Sequence, residues 1–176
     1  MVIVEYNENW PKYFLQIENI LRKNLSKILT IEHVGSTSIF GMFAKPIIDI
    51  VIVIDDKNNL YKTMEELETI GYYHNDDQGI PGREVFKRTG VVYDDILDTI
   101  SHHLYVCNFG NSEFKRHILF RDYLKTHEDA RDQYNQIKQC ILERVGYDNR
   151  KDYVNIKENE YKWFFEEIIK KAGEEI

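Results

Sequence analysis

The sequence predicts an α/β fold in which a mixed β-sheet with its own helices is followed by a C-terminal layer of about three helices. Three observations predict it. The run Ile47-Ile48-Asp49-Ile50-Val51-Ile52-Val53-Ile54 has the β-branched composition of a central strand buried on both faces. Apolar residues recur at helical spacing before that run, and do so again from Ser112 to the C-terminus. Between these stretches lie shorter β-like segments separated by Gly, Asp and Asn.

Taken in order, Asn9 and Pro11 frame a helix start, and Tyr13, Phe14, Ile17, Ile20, Leu21, Leu25 and Ile28 carry the helix to about residue 29. A short strand at 31–34 leads into the turn-forming Gly35-Ser36-Thr37-Ser38, with Gly41 before the central strand at 47–54. Residues 58–70 read as a helix ended by Gly71, and strands near 72–75, 83–88 and 102–107 complete the sheet. Thr126 with Asp129 makes a capping box for Ala130, Tyr134, Ile137 and Ile141. Asn149 with Asp152 does the same for Tyr153, Tyr161, Phe164 and Ile168. No Pro- or Ser-rich linker interrupts the chain, so the expectation is one domain over residues 1–176, with a sheet part at about 1–110 and a helical part at about 111–176.

Composition narrows the function. With 176 residues, 43% hydrophobic and 30% charged, and only 9 Gly and 3 Pro, the chain is expected to fold throughout around its own core. A net charge of −7 disfavours an extended nucleic-acid surface while leaving room for a local basic pocket that takes a small anion. Cys107 and Cys140 form no C-x-x-C pair, which argues against a redox or zinc motif and for reduced thiols. Neither a secretory leader nor a membrane-length apolar run is visible, so a cytoplasmic, soluble protein without a membrane partner is expected.

One residue breaks the apolar strand: a carboxylate there costs free energy unless something specific compensates it, and that marks Asp49. Thirteen residues earlier, Ser36 follows Gly35 at the end of a strand, where a short helix is expected to open with backbone N–H groups free to hold a phosphate. A Gly-Ser turn with a strand-borne aspartate about a dozen residues later resembles the signature of the nucleotidyltransferase superfamily. That resemblance implies a nucleotidyltransferase-like fold, a turn that binds nucleotide phosphates, and strand carboxylates that hold Mg²⁺ or Mn²⁺ as cofactor.

A second resemblance covers nearly the whole chain. Val4-Glu5-Tyr6 with Trp10-Pro11, Ile31-Glu32-His33-Val34-Gly35-Ser36-Thr37, Ala44-Lys45-Pro46-Ile47-Ile48-Asp49-Ile50, Gly79-Ile80-Pro81-Gly82-Arg83, His102-His103-Leu104 and Phe120-Arg121-Asp122-Tyr123-Leu124 follow the order and spacing of the GrpB family. The sequence also departs from these patterns. Val51 stands where the transferase signature places a second acid on the face of Asp49, and Phe40 and Tyr105 stand where proline and histidine are expected.

The candidate site is therefore Asp49, Lys45 and His103 as catalytic residues; Gly35, Ser36, Thr37, Arg83 and Lys87 as phosphate or ligand contacts; and Asp49, His103 and His33 as metal ligands. Strand parity lets only one of His102 and His103 face the site, and His103 is the choice because Leu104 and Val106 look like the core face. Each residue also has a structural reading: Ser36 and Thr37 as caps, Asp49 paired with Lys45 or backbone donors, the histidines hydrogen-bonded in place, Arg83 and Lys87 on a solvated strand face. His117, Arg121 and Lys157 belong on amphipathic helices, as surface or interhelical groups. The function expected is binding of a nucleotide or other phosphorylated ligand, with nucleotidyl or phosphoryl transfer as its catalytic form. A catalytically degenerate ligand-binding or protein-interaction module is the alternative, and phosphate-ester hydrolysis the third reading.

Overall fold

The structure, a computed structural model, describes residues 3–56 and 58–175. Contacts divide the chain into two compact units: Glu8–Val34 with Ile47–Lys115, and Met1–Asn7 with Gly35–Pro46 and Arg116–Ile176. The division does not fall at residue 110. The segments 3–7 and 35–46, expected with the sheet, belong with the helices, because Val4 and Ala44 pair through two backbone hydrogen bonds and Ile3, Ile39 and Met42 sit in the helical core.

The sheet unit contains strands β1 (Thr30–Val34), β2 (Ile48–Ile54), β3 (Tyr72–His74), β4 (Arg83–Arg88) and β5 (His102–Asn108), and helices α1 (Trp10–Asn24), α2 (Asn59–Thr69) and α3 (Asp95–Thr99). The strands lie in the order β1-β2-β5-β4-β3; β2 and β5 are parallel and the other pairs antiparallel, so the sheet is mixed as predicted. Alternation gives the sheet two chemically different faces. On one, Ile48, Ile50, Ile52 and Ile54 of β2 run beside Leu104 and Val106 of β5, all buried. Helix α1 covers this face: Phe14 stacks on His33, the neighbour of Ile50, at 4.9 Å between ring centroids. The other face carries Asp49, Val51 and Val53 beside His103, Tyr105 and Cys107.

Two elements differ from the sequence reading. Helix α1 stops at Asn24 rather than near 29, because Leu25 turns extended and Glu66 of α2 accepts hydrogen bonds from the Ser26 amide and hydroxyl at 2.9 and 2.6 Å. Helix α3, which was not foreseen, is capped by Asp94, whose carboxylate accepts from the amides of Ile96 and Leu97 at 2.9 Å. Arg88 anchors the loop before it by donating to Asp98 and to the carbonyls of Ile70 and Val92. Gly71 is required beside this anchor: its φ is +86°, and a Cβ there would lie 2.8 Å from the Val92 carbonyl oxygen.

Helix α4 (Ser112–Thr126) starts in the sheet unit, and from Arg116 onward its residues belong to the helical unit, with α5 (Glu128–Val145), α6 (Arg150–Asn159) and α7 (Lys162–Glu174). The helical stretch thus comprises four helices among the described residues, one more than expected. The Thr126 capping box does not form, since that hydroxyl donates back to the carbonyls of Asp122 and Tyr123 and closes α4 instead. The Asn149 cap does form: its side-chain oxygen accepts from the Asp152 amide at 3.2 Å. The chain breaks again between α6 and α7 at Glu160 and Tyr161, where one helix was expected. Tyr134, Ile137, Ile141, Phe164 and Ile168 form the core of this unit, and Tyr134 stacks on Phe164 at 5.3 Å.

Candidate functional site

In the helical unit the Gly-Ser turn is built by backbone conformation and held by α5. Gly35 has φ 72° and ψ −177°, a region that only glycine occupies without strain. Ser36–Ser38 form a single 3₁₀ turn, and Ser38 donates its hydroxyl hydrogen to the Gly35 carbonyl at 2.6 Å. Three residues make no useful macrodipole, so a phosphate site here needs a charged side chain. Lys138 of α5 supplies one. Its Nζ donates to Ser36 Oγ at 2.8 Å and to the Phe43 carbonyl, and it lies 4.1 Å from the centroid of the Tyr134 ring. The Tyr134 hydroxyl also shares a hydrogen bond with Ser36.

One turn back on the same helix, Asn135 pins the segment, accepting from the Phe43 amide at 2.9 Å and donating to the Gly41 carbonyl at 3.0 Å. Lys138 is buried, at 3% exposure, and among the described residues no carboxylate pairs with it. Burial, and then the charge of Lys157, hold its amine well below the usual lysine range. Burial likewise pushes the Tyr134 phenol up. Lys45 belongs to this unit as well, with its Nζ 5.4 Å from the centroid of the Tyr153 ring, and Thr37 is buried in the turn.

In the sheet unit, Asp49 and His103 are direct neighbours across β2 and β5, and His103 Nδ1 bonds Asp49 Oδ1 at 2.8 Å. His102 points to the opposite face, where Tyr72 Oη lies 2.6 Å from its Nε2 and the Ile100 carbonyl 2.7 Å from its Nδ1. Burial lowers the His102 pKa. Two residues beyond His103 on the same face, Tyr105 is covered by Arg83, whose guanidinium carbon stands 4.6 Å from the ring centroid. Burial and then the charge of Asp49 push the Tyr105 phenol up to about 12, against the pull of Arg83. Arg83 Nε is buried without a hydrogen-bond partner. Asn111 fixes the start of β4 by donating to the carbonyls of Pro81 and Gly82. Lys87 shares the face of Arg83 but is exposed and lies one residue past the last β4–β5 pair.

One expectation needs correction here. His33 cannot join Asp49, because it pairs with Ile50 and projects to the α1 side, where it stacks on Phe14. Val51 also leaves the face of Asp49 without the second acid that a two-cation site uses. Val51 is 3% exposed on the face of Asp49, and its β1 neighbour Glu32 has its carboxylate engaged by the Thr30 hydroxyl at 3.0 Å. Among the described residues no three His, Cys, Asp or Glu side chains converge as a metal centre would. Burial pushes the Cys107 thiol up to about 12, away from the thiolate form that a nucleophile uses. A cavity of about 260 Å³ lined by Ile54, Leu60, Gly82, Glu84, Val106, Cys107 and Asn108 lies at the opposite end of β2 and β5 from the Asp49–His103 pair.

Sequence reasoning missed Lys138 and Tyr134. The signal was a lysine on an apolar helical stripe, between Tyr134 and Ile141 at spacings of four and three.

The mixed sheet with its flanking helices is a nucleotidyltransferase-like fold. Cid1 poly(U) polymerase has it: a structure in complex with the UTP analog UMPNPP aligns over 81% of this chain and 44% of its own, with TM-score 0.54 and 14% identity, a likeness of fold alone. The chain belongs to the GrpB family, whose model, described as GrpB protein, matches residues 1–171. The crystal structure of GrpB from Enterococcus faecalis superposes with TM-score 0.78 at 28% identity, over 97% of this chain and 98% of that one. Glutamate-rich protein GrpB of Alkalihalophilus pseudofirmus is 31% identical over 172 residues, covering 96% of this chain and 94% of its own length. The UPF0157 protein YqkA of Bacillus subtilis is 34% identical over 140 residues, which span 79% of this chain and only 39% of that protein. No helix among the described residues is long and apolar enough to cross a membrane.

Proposed function

We propose that this protein binds a phosphorylated small molecule of the nucleotide class, with a phosphate received at the Gly35-Ser36 turn by Lys138. The observation that carries the reading is the buried Lys138 amine on Ser36 Oγ, beside which no carboxylate stands among the described residues. A buried cation without a counter-charge is costly, and an anionic ligand relieves that cost where a structural lysine would have an acid beside it. Lys157 and Lys45 add positive charge within the same unit. The fold relationship to Cid1, seen with a UTP analog, supports a nucleotide over other phosphate carriers.

A thermal-shift series with pyrophosphate, ATP and UTP on the wild type and Lys138→Met tests this. At a ligand concentration one hundred times the Kd, stabilisation of about 2.7 kcal/mol is expected for the wild type and little for the variant. Equal shifts in both, or none in the wild type, refute it. Val51 favours a second reading, in which the family fold binds its ligand without nucleotidyl transfer, because the usual pair of strand acids is reduced to Asp49. Saturable stabilisation without nucleotide consumption would select that reading.

A further inference from the structure

We propose that Asp49 and His103 form a general-base dyad that activates a water or alcohol hydroxyl for attack on an anionic phosphate ester or anhydride, with Arg83 drawing the anion to the same sheet face. The substrate class rests on the phosphorylated ligand proposed above; the dyad rests on its own geometry.

An ionised carboxylate only accepts hydrogen bonds, so the 2.8 Å contact makes His103 Nδ1 the donor to Asp49 Oδ1. In the neutral imidazole this leaves the lone pair on Nε2. The His103 side chain is 43% exposed and the Asp49 side chain 31%, the ring's hydrogen bond to Asp49 uses Nδ1 rather than Nε2, and adjacent strands hold the pair. Two residues on, Tyr105 carries Arg83 on its ring, and the buried Arg83 Nε keeps an unused donor. The His103 and Tyr105 rings are 6.2 Å apart. Base and cation therefore stand on one sheet face. A metal centre would use this face differently: Val51 withholds the second acid, and Asp49 Oδ1 is already committed to the imidazole.

The step balances without a further reactant. The nucleophile's O–H proton passes to His103 Nε2 as its oxygen bonds phosphorus. The bond from phosphorus to the leaving oxygen breaks with its electron pair on that oxygen, which is in line with the nucleophile on the far side of phosphorus and takes a proton from solvent water; the hydroxide so formed takes the proton from Nε2 and restores the neutral imidazole. Asp49 stays ionised throughout and stabilises the imidazolium.

Two measurements on the full chain test the assignment. Long-range ¹H–¹⁵N NMR at neutral pH is expected to show His103 with its proton on Nδ1, and loss of that fixed tautomer in Asp49→Ala. Turnover of bis(p-nitrophenyl) phosphate and of ATP is expected in the wild type, and to fall about 100-fold or more in His103→Asn at an unchanged melting temperature, since that amide can still reach Asp49 but carries no base. Four results would each overturn the proposal: a His103 carrying its proton on Nε2, no wild-type turnover of either substrate, equal turnover in His103→Asn, or Mn²⁺ broadening the His103 resonances ahead of the other histidines. Ligand stabilisation that requires Lys138 would survive any of these, so the two readings fail separately.

Discussion

Replacing Lys138 by methionine isolates the energetics of the buried amine. The side chain keeps its length and its packing on Tyr134, but the donors to Ser36 Oγ and the Phe43 carbonyl disappear. Leaving those acceptors unsatisfied costs about 1–3 kcal/mol each, and methionine removes the desolvation cost of the amine, which opposes that loss. The pH dependence is what discriminates. Burial and Lys157 lower the native pKa below 10.5, so between that lowered value and 10.5 the unfolded chain holds a proton the native state has released. Wild-type stability therefore rises with pH through that window, by roughly 1 to 1.5 kcal/mol per pH unit, and is flat below it. For a chain of this size that slope corresponds to about 2–6 °C in Tm per pH unit. Thermal melts of the wild type and Lys138→Met from neutral pH to 10.5 should diverge accordingly, the wild type gaining on the variant. A phosphate paired to the ammonium should raise its pKa, so ligand stabilisation of the wild type should weaken as pH rises. Parallel Tm curves for the two proteins would refute the claim that Lys138 is a desolvated cation.

Three further outcomes follow from the same structure. Val51→Asp puts a carboxylate into a position 3% exposed on the face of Asp49; losing the valine burial costs about 1.5–3 kcal/mol and the desolvated acid a similar amount, for a Tm fall of about 10 °C. Mn²⁺ should recover part of that loss and leave the wild type unmoved, and a fall below about 3 °C would mean residue 51 is not desolvated. The Arg88 guanidinium, together with the Asp94 amide, holds the Asp98 carboxyl down to about 2 from 3.8, so this pair stabilises the fold above 3.8 and the contribution is lost as pH falls toward 2. Asp98→Asn should flatten the acid limb of Tm against pH in that interval, and an unchanged limb would remove the pair from the account. Because Ile39 and Met42 pack with residues of α5 to α7, cleavage near Gly110 should leave no stable fragment in limited proteolysis, and a native-like spectrum from such a fragment would show that the sheet unit stands alone.

What was legible in the sequence is what depends on neighbours in the chain. The strand at 48–54 is readable because β-branched composition and alternation are local properties, and the same parity separates His103 from His102. The end of α1 was not readable, since Glu66, forty residues away, satisfies the Ser26 donors. The placement of His33 needed the β1–β2 register, which fixes Val34 opposite Asp49 and turns His33 to the other face. Lys138 is the sharpest case. A lysine in a helix of alternating charge reads as solvated, and only its position on the Tyr134–Ile141 stripe marks it as buried.

Asp49 and Lys138 pose the same physical problem in their separate units, a charge set in an apolar frame, and the chain answers it differently. Asp49 has a partner of its own: His103 satisfies one oxygen, and the side chain keeps enough exposure for water to reach the rest. Among the described residues the acceptors of Lys138 are neutral, a hydroxyl, a carbonyl and an aromatic face, while its charged neighbour is another lysine. The chain carries 30 acidic residues against 23 basic ones, so the missing counter-charge does not reflect a shortage of acids. If the role of Lys138 were only to hold the turn, a glutamate within reach would have strengthened it, and phosphate would be indifferent to its removal. An amine that holds the turn while free of any carboxylate partner can release its neutral contacts to an anion at low cost, and this is why loss of ligand response in Lys138→Met, rather than loss of stability, is the measurement that separates a ligand site from a structural brace.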